Sequence, residues 1–237
     1  MRAPRPRVLG HRGASGHRPE NSLAAFREAI RLGPDGVELD VQTTSCGRLV
    51  VYHDWEVPGL GPIAGLRFEA LREAWLSNGE PIPSLEEALE EIQGAGGAGG
   101  PSGGRAVEVW IELKSLPRSA DGALLQVIEG SPAPARCAVH SFDHRIVARL
   151  GEKRPMLRRG ILSASYPLDP VGPMQAAGAN TLWQEWHLVD GELVAAVHRS
   201  GGEVMAWTVN DAEAARRLAE LGVDGLCGNW PERLRVR

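Results

Sequence analysis

Short apolar runs alternate with longer amphipathic stretches along the whole chain. The apolar runs have the length of buried strands and are rich in Val, Ile and Leu, which is typical of a sheet covered on both faces. They predict strands at 7–10, 36–41, 49–52, 107–113, 138–141, 159–162, 181–184, 203–208 and 223–227.

The amphipathic stretches have the spacing of helices that bury one face. Ser84 with Glu87 three residues later is a capping-box pattern, and Gly222 stands where a helix would end in a left-handed residue. The predicted helices are 22–32, 84–93, 122–129, 143–150, 190–200 and 211–221, with one further amphipathic helix over 65–76.

The regular strand–helix alternation predicts an α/β fold with a parallel sheet inside and helices outside. About eight such units in roughly 240 residues suit a TIM (β/α)8 barrel that forms a single domain over residues 1–237. In that fold the active site lies at the C-terminal rim of the strands. A doubly wound open sheet is the alternative, and periodicity alone does not exclude it.

The segment 94–104, "GAGGAGGPSGG", is the one low-complexity stretch. It separates a predicted helix from the next strand, so in a barrel it lies on the face opposite the active site. We interpret it as a flexible Gly-rich loop. It lacks the Gly-Lys-Ser/Thr ending of a phosphate cradle and precedes a strand rather than a helix.

Composition narrows the classes of function. The net charge of −4 argues against a protein that binds nucleic acid through bulk positive charge, so any anion must be bound by a local cluster. The cysteines, Cys46, Cys137 and Cys227, form no CxxC pair and suit reduced thiols. No apolar stretch reads as a signal peptide or a membrane span. We therefore expect a cytoplasmic protein without stable membrane anchoring.

Acidic residues cluster at the ends of two predicted strands. Glu38 and Asp40 are two residues apart on one strand, so their side chains project to the same face. Two carboxylates that face one way inside a barrel are costly to bury without a counter-charge, and Glu112 from the strand after next adds a third. These three oxygen ligands favour a hard divalent cation, Mg²⁺ or Ca²⁺, with Mn²⁺ as a third candidate. The alternative interpretation is a solvated strand face or ion pairs with nearby arginines.

Histidines and cations follow the same strands. His11 and His53 each come directly after a predicted strand, and two imidazoles can divide the roles of general acid and general base. Arg12 and Lys114 would bind an anion between them, and Lys114 is one of only two lysines among 26 basic residues. The sequence does not say which histidine is the acid. We interpret the other five histidines, including His140, as structural.

A series of motifs resembles the glycerophosphodiester phosphodiesterase family in order and spacing from Val8 to Pro231. The combination of the first histidine motif with the paired acidic motifs is specific, whereas each motif alone is weak. The motifs are "HRG", "PENS", "GVELDVQTT", "LVVYHD", "IPSLEEAL", "IELK", "HSF", "AWTVN" and "GVDGL" followed by "NWP".

The resemblance implies a TIM barrel that hydrolyses glycerophosphodiesters, small-molecule substrates, to sn-glycerol 3-phosphate and an alcohol. It also implies that Glu38, Asp40 and Glu112 bind a divalent metal. The residues that match the general acid and base of the family are His11 and His53.

The same resemblance assigns residues that bind substrate. It implies phosphate contacts for Arg12 and Lys114, and a bracing role for Asn21 in the first loop. It also implies apolar walls for the glycerol carbons at Phe142 and Trp207.

Two stretches depart from the family pattern. "TTSCG" stands where the family has Thr-Lys-Asp-Gly after the second strand, and "GNWP" stands where it ends in Thr-Asp-x-Pro. We expect both to flank the site without touching a residue that has an assigned role, so that activity survives.

Three other functions fit parts of the pattern. A related barrel lyase would cleave phospholipids and form a cyclic phosphate, and a non-catalytic barrel would only bind phosphorylated ligands. A metal-free glycosidase would use a carboxylate pair but would leave two histidines and a lysine without a role.

Overall fold

The computed structural model of the chain describes residues 5–94 and 107–236. The predicted flexible loop, 94–104, lies outside the described residues except for Gly94. In the described part of the chain, no helix combines the length and the apolar character that crossing a bilayer requires.

The strands of the described residues follow the predicted apolar runs, with the addition of one short hairpin, β4–β5. The strands are β1 (Arg7–His11), β2 (Gly36–Thr43), β3 (Leu49–Val51), β4 (Glu56–Val57), β5 (Gly61–Pro62), β6 (Glu108–Leu113), β7 (Cys137–Ser141), β8 (Arg158–Ser163), β9 (Thr181–Glu185), β10 (Glu203–Trp207) and β11 (Gly225–Gly228).

The helices also lie close to their predicted positions, and α6 is one that the pattern did not predict. The helices are α1 (Leu23–Leu32), α2 (Phe68–Leu71), α3 (Leu85–Leu89), α4 (Asp121–Gly130), α5 (His144–Lys153), α6 (Gly172–Ala176), α7 (Gly191–Arg199) and α8 (Ala212–Leu221), and one turn of π-helix (Glu90–Gly94) extends α3.

Eight parallel strands close into a barrel. The order around it is β1, β2, β6, β7, β8, β9, β10 and β11, and β11 pairs with β1 again. This closure confirms the predicted TIM barrel and excludes the open sheet, because an open sheet would leave two unpaired edges. The predicted strand at 49–52 is real, but β3 runs antiparallel to β2 outside the barrel ring.

The predicted helix over 65–76 is largely wrong, because α2 covers only Phe68–Leu71 of it. After α2 the chain turns back on itself, the Leu76 N–H donates to the carbonyl of Glu80, and Trp75 pairs with Pro81. Leu71 packs into a small satellite core, whereas the Trp75 side chain is exposed. Leu71 before the turn and Leu76 after it pack in the same satellite core, so burial of these residues does not require a continuous helix.

Strand side chains alternate between an outer and an inner core. On β2, Val37 and Leu39 pack under the helices, so that Glu38 and Asp40 project into the barrel. The inner core is small and aromatic. The rings of Trp110 and Trp183 pack against Gly160, where a Cβ would lie 2.9 Å from the Trp183 ring and so would be too close. The inner core contains Leu9, Trp110, Ala138, Leu162, Trp183, Met205 and Cys227.

Four charged side chains close the N-terminal end of the barrel, and each is the first residue of its strand. The Glu108 carboxylate lies 2.6 Å from Arg158 and 3.4 Å from Arg7, and Arg7 lies 2.7 Å from Glu203. The Trp110 indole N–H donates to Glu108 at 2.7 Å. These four charged residues, called the lower cluster below, come from β1, β6, β8 and β10, the alternate strands that share a layer in this fold.

Candidate active site

The three predicted acidic residues meet at the C-terminal end of the barrel. Glu38 and Asp40 enter from β2 and Glu112 from β6, with Asp40 in register with Glu112 across the two strands. All three are buried, and one carboxylate oxygen of each lies within 4.8 Å of the others. Oxygen atoms at this spacing could share one cation, and these are the three residues that the sequence predicts as ligands.

Close packing of like charges perturbs these carboxyl groups. Burial and the neighbouring charge of Asp40 raise the pKa of Glu112 to about 7, and burial with the charges of Asp40 and Glu112 raises the pKa of Glu38 well above its usual range. Burial alone would also raise the pKa of Asp40, but Lys114 and Arg12 outweigh it and lower that pKa to about 2. The site therefore stabilises one full negative charge by itself and resists the next two.

Two cations contact this cluster. Lys114 Nζ lies 2.6 Å from Glu112 Oε1 and 3.1 Å from Asp40 Oδ1, and Arg12 Nε lies 3.1 Å from Asp40 Oδ2. Arg12 also pairs with Glu20 on the surface. The acidic residues thus do form ion pairs with basic residues, as the alternative interpretation expects. Glu38 Oε1, however, is buried without a hydrogen-bond partner among the described residues. Pairing accounts for Asp40 and not for Glu38.

His11, the last residue of β1, lies beside the cluster. Its Nε2 is 4.0 Å from Glu38 Oε2, and its Nδ1 is 2.7 Å from Asn229 Oδ1. Since an amide oxygen only accepts, Nδ1 carries the proton and Nε2 presents a lone pair to the site. Burial and the charge of Arg12 lower the pKa of His11 to about 4, so that the imidazole is neutral at pH 7.

Asn229 belongs to "GNWP", and its contact with His11 makes one expectation wrong. We expected that departure from the family pattern to touch no residue with an assigned role, but its asparagine holds the ring of a predicted catalytic histidine. Asn229 itself is held by Asn210, whose side-chain oxygen accepts from the Asn229 N–H. The sequence could not show this, because the two residues are far apart along the chain.

His53 lies on the loop after β3 and is more exposed than His11. Its Nδ1 is 2.7 Å from Asp54 Oδ1. The Gln42 side-chain amide donates to the carbonyls of Tyr52, His53 and Asp54, which fixes the loop against β2. In the described part of the chain no ion pair joins His53 to the three buried carboxylates, so the structure brings it to the rim but not into the cluster.

Asn21 joins the first loop to the cluster. Its side-chain amide donates to Asp40 Oδ2 at 2.8 Å, and its side-chain oxygen accepts from the Asp40 N–H at 3.2 Å. Arg12 and Asn21 both adopt positive φ, 53° and 56°, and the Asn21 N–H donates to the Arg12 carbonyl. The loop is bent so that its arginine and its asparagine reach the same carboxylate.

Phe142 and Trp207 form an aromatic pair at the rim, with ring centroids 5.6 Å apart in an edge-to-face arrangement. Phe142 is 47% exposed, so part of its ring is free to contact a ligand. A groove of about 1050 Å³ begins at Lys114 and runs outward past Ser45, Trp55 and Arg118. Phe142 and Trp207 do not line this groove, so the aromatic pair and the groove are two separate surfaces.

His140 is a residue near the site that sequence reasoning missed. We interpreted it as structural, but its Nε2 lies 3.9 Å from Glu38 Oε1. Part of the signal was in the sequence, since His140 lies two residues after Ala138 on a predicted strand, but only the structure shows that Ala138 faces the inner core. Counting by twos along β7 therefore places the imidazole inside the barrel.

Comparison with known proteins matches the chain to one family. Residues 11–233 match the "Glycerophosphoryl diester phosphodiesterase family". A glycerophosphodiester phosphodiesterase of Caldanaerobacter subterraneus subsp. tengcongensis is 32% identical, over 96% of this chain and 95% of its own length. One of Bacillus altitudinis is 29% identical over 96% of both chains.

A solved structure extends the likeness to the fold. A phosphodiesterase of Oleispira antarctica, in complex with the product sn-glycerol-3-phosphate, superposes with a TM-score of 0.88 at 25% identity and covers 97% of this chain and 95% of its own. The family predicted from the motifs, and the prediction of an enzyme of this kind, are confirmed. The chain belongs to the glycerophosphoryl diester phosphodiesterase family.

Proposed function

We propose that the chain hydrolyses glycerophosphodiesters to sn-glycerol 3-phosphate and an alcohol, with a divalent cation and with His11 and His53 as proton carriers. The observation that carries this proposal is the cluster of three buried carboxylates, two cations and a neutral histidine at one end of the barrel. The product found in the related Oleispira antarctica structure supports the choice of substrate.

The residues fit a divalent cation. Glu38 Oε1 is a buried polar atom without a hydrogen-bond partner among the described residues, and the carboxylates outnumber the cations that touch them. Glu38, Asp40 and Glu112 would hold the ion, and Mg²⁺ or Ca²⁺ suits an all-oxygen set, with Mn²⁺ also compatible. When bound, the ion neutralises charge on the phosphodiester and orients it.

Arg12 and Lys114 bind the phosphate in this mechanism. Both contact the carboxylate cluster, so their positive charges are held at its edge, where a phosphate oxygen would approach. They are buried enough that water screens them little, which strengthens their attraction for the negative charge that accumulates during phosphoryl transfer. Their pairing with Asp40 also fixes their direction before substrate arrives.

The two histidines divide the proton transfers. His11 presents an unprotonated Nε2 to the site and accepts the proton of the attacking hydroxyl, while its Nδ1–H stays on Asn229. His53, beside the Asp54 carboxylate, donates a proton to the oxygen of the departing alcohol. The attacking hydroxyl belongs to water or to the glycerol 2-position, and in the second case water then opens a cyclic phosphate.

The substrate's two ends lie on different surfaces. The glycerol carbons rest on the Phe142–Trp207 pair, and the alcohol extends into the groove that begins at Lys114. The groove is wide enough to accept alcohols of different sizes, so the phosphodiester and the glycerol carry most of the recognition. This arrangement suits a small-molecule substrate.

The test is release of glycerol 3-phosphate from glycerophosphocholine by purified protein, after chelation and after addition of Mg²⁺, Ca²⁺ or Mn²⁺. The proposal expects metal-restored release that is lost in Glu38→Gln. A cyclic phosphate as the final product would instead indicate the lyase, and phosphate binding without turnover over a panel of head groups would indicate the non-catalytic barrel.

A further inference from the structure

We propose that His140 is a positioning residue for the metal site: its Nε2–H donates to Glu38 Oε1 and holds that carboxylate in the orientation that binds the divalent cation. The inference rests on the proposed function, since it concerns the cation assigned there. It gives a role to a buried polar side chain that the proposed mechanism does not use.

His140 is buried in a way that is costly without a partner. It is 1% exposed on β7, and its ring packs against Trp110 and Trp183 at centroid distances of 5.5 and 4.3 Å. Neither ring nitrogen has a hydrogen-bond partner in the described part of the chain. An unsatisfied buried polar group destabilises the fold, so a phenylalanine would fill this place at lower cost if packing were the only role.

The matching unsatisfied group is Glu38. Its Oε2 accepts the Arg12 N–H at 3.1 Å, but its Oε1 is buried without a partner and lies 3.9 Å from His140 Nε2. In the proposed arrangement the Glu38 side chain rotates toward His140, so that the two atoms approach by about 1 Å to hydrogen-bond distance. Each of the two atoms thus has the other as its available partner.

His140 acts through Glu38 rather than as a ligand. The atoms that lie close enough to share one ion are oxygens of Glu38, Asp40 and Glu112, and His140 is not among that group. In metal sites the ligands are themselves oriented by hydrogen bonds from a surrounding set of residues. Asp40 has such support from Asn21, and His140 would supply it for Glu38.

The experiment measures Mn²⁺ binding by electron paramagnetic resonance, independently of turnover. The variants are His140→Phe, which keeps the ring and removes the donor, and the pair His140→Gln and His140→Asn. The longer Gln side chain places its amide where Nε2 lies, whereas Asn places its amide where Nδ1 lies. We expect Mn²⁺ affinity to fall about 10–100-fold in the Phe and Asn variants and to recover to within about threefold of wild type in Gln.

A purely structural role predicts a different result. Mn²⁺ affinity that stays within twofold of wild type in His140→Phe, or that falls equally in Gln and Asn, would overturn the proposal. Circular dichroism checks that each variant is folded, and if Phe does not fold, the Gln–Asn pair decides. A wild-type chain that binds no Mn²⁺ would overturn the cation site itself, and the role of His140 with it.

Discussion

The two ends of the barrel both bury charge, and they treat it in opposite ways. In the lower cluster two arginines face two glutamates, and Glu108 has contacts from Arg7, Arg158 and the Trp110 indole. At the upper end three carboxylates share one arginine and one lysine, and Glu38 keeps an unpartnered oxygen. The same fold thus contains a balanced set of charges and an unbalanced one.

The difference indicates what each end contributes. A buried charge with complete pairing holds strands in register, whereas a buried charge without it costs free energy and persists where function requires it. The pKa values report the imbalance, because that of Glu112 is raised to about 7 while that of Asp40, next to both cations, is lowered to about 2. We therefore expect the lower cluster to control stability and the upper one to control chemistry.

The largest effect is expected for the histidine of the upper end. His11→Ala removes the proposed base and should lower turnover by roughly two to four orders of magnitude, with little change in thermal stability. His17→Ala is the matched control, because His17 lies on the same loop and pairs with Glu232 on the surface. Steady-state rates of both variants check this, and a His11→Ala enzyme with a near wild-type rate would remove His11 from the mechanism.

The same substitution, Glu to Gln, made at each end of the barrel should separate an effect on stability from an effect on activity. Glu108→Gln breaks ion pairs with the partly exposed Arg7 and Arg158 and should lower the free energy of unfolding by about 1–3 kcal/mol, while the folded fraction keeps its turnover number. Glu38→Gln removes an uncompensated charge and should leave stability unchanged or raise it, with loss of turnover. Urea unfolding together with initial rates tests both, and equal destabilisation by the two variants would contradict the comparison.

The pH dependence of stability should reveal the unbalanced carboxylates. In the folded, metal-free protein the pKa of Glu112 is raised from 4.5 to about 7, so the folded state binds more protons than the unfolded state in this window. The contribution of Glu112 to stability is then fully present below about pH 4.5 and declines as pH rises to about 7, by an amount on the order of 3 kcal/mol. The lowered pKa of His11 acts in the opposite direction over the same window, so the Glu112 contribution is read from the difference between wild type and a Glu112 variant. Urea unfolding at several pH values after chelation measures it, and the profile of Glu112→Gln should lack the decline between about pH 4.5 and 7 that Glu112 contributes to wild type. A profile that Glu112→Gln leaves unchanged would assign the decline to other groups.

The smallest expected effect concerns Asn229, the neutral partner of His11. Asn229→Asp places a carboxylate at the imidazole and should raise the pKa of His11 by about 1–3 units from its value of about 4. Because the base must be neutral, the acid limb of the rate profile should move to higher pH by the same amount. The pH dependence of kcat/KM measures this shift, with Asn210→Asp as the control one residue further from the ring. An unmoved acid limb would mean that this limb does not report His11.

Much of the site followed from local spacing. Glu38 and Asp40 are two apart on a strand that is apolar at Val37 and Leu39, so the strand period alone placed both carboxylates inside. The helix over 65–76 failed on the same kind of evidence, because apolar residues at helical spacing can also be buried by a chain that turns back. Leu71, Ala74 and Leu76 all pack in the satellite core, although the helix ends at Leu71.

The sequence by itself determined the alternation of strands and helices, the parity of the acidic residues and the motifs of the family. These depend on neighbours along the chain, which backbone geometry relates directly. Only the tertiary structure decided that the barrel closes, that Asn229 holds His11 and that His140 faces Glu38. Each of these contacts joins residues that are distant along the chain, and only the layered interior of the closed barrel brings such residues together.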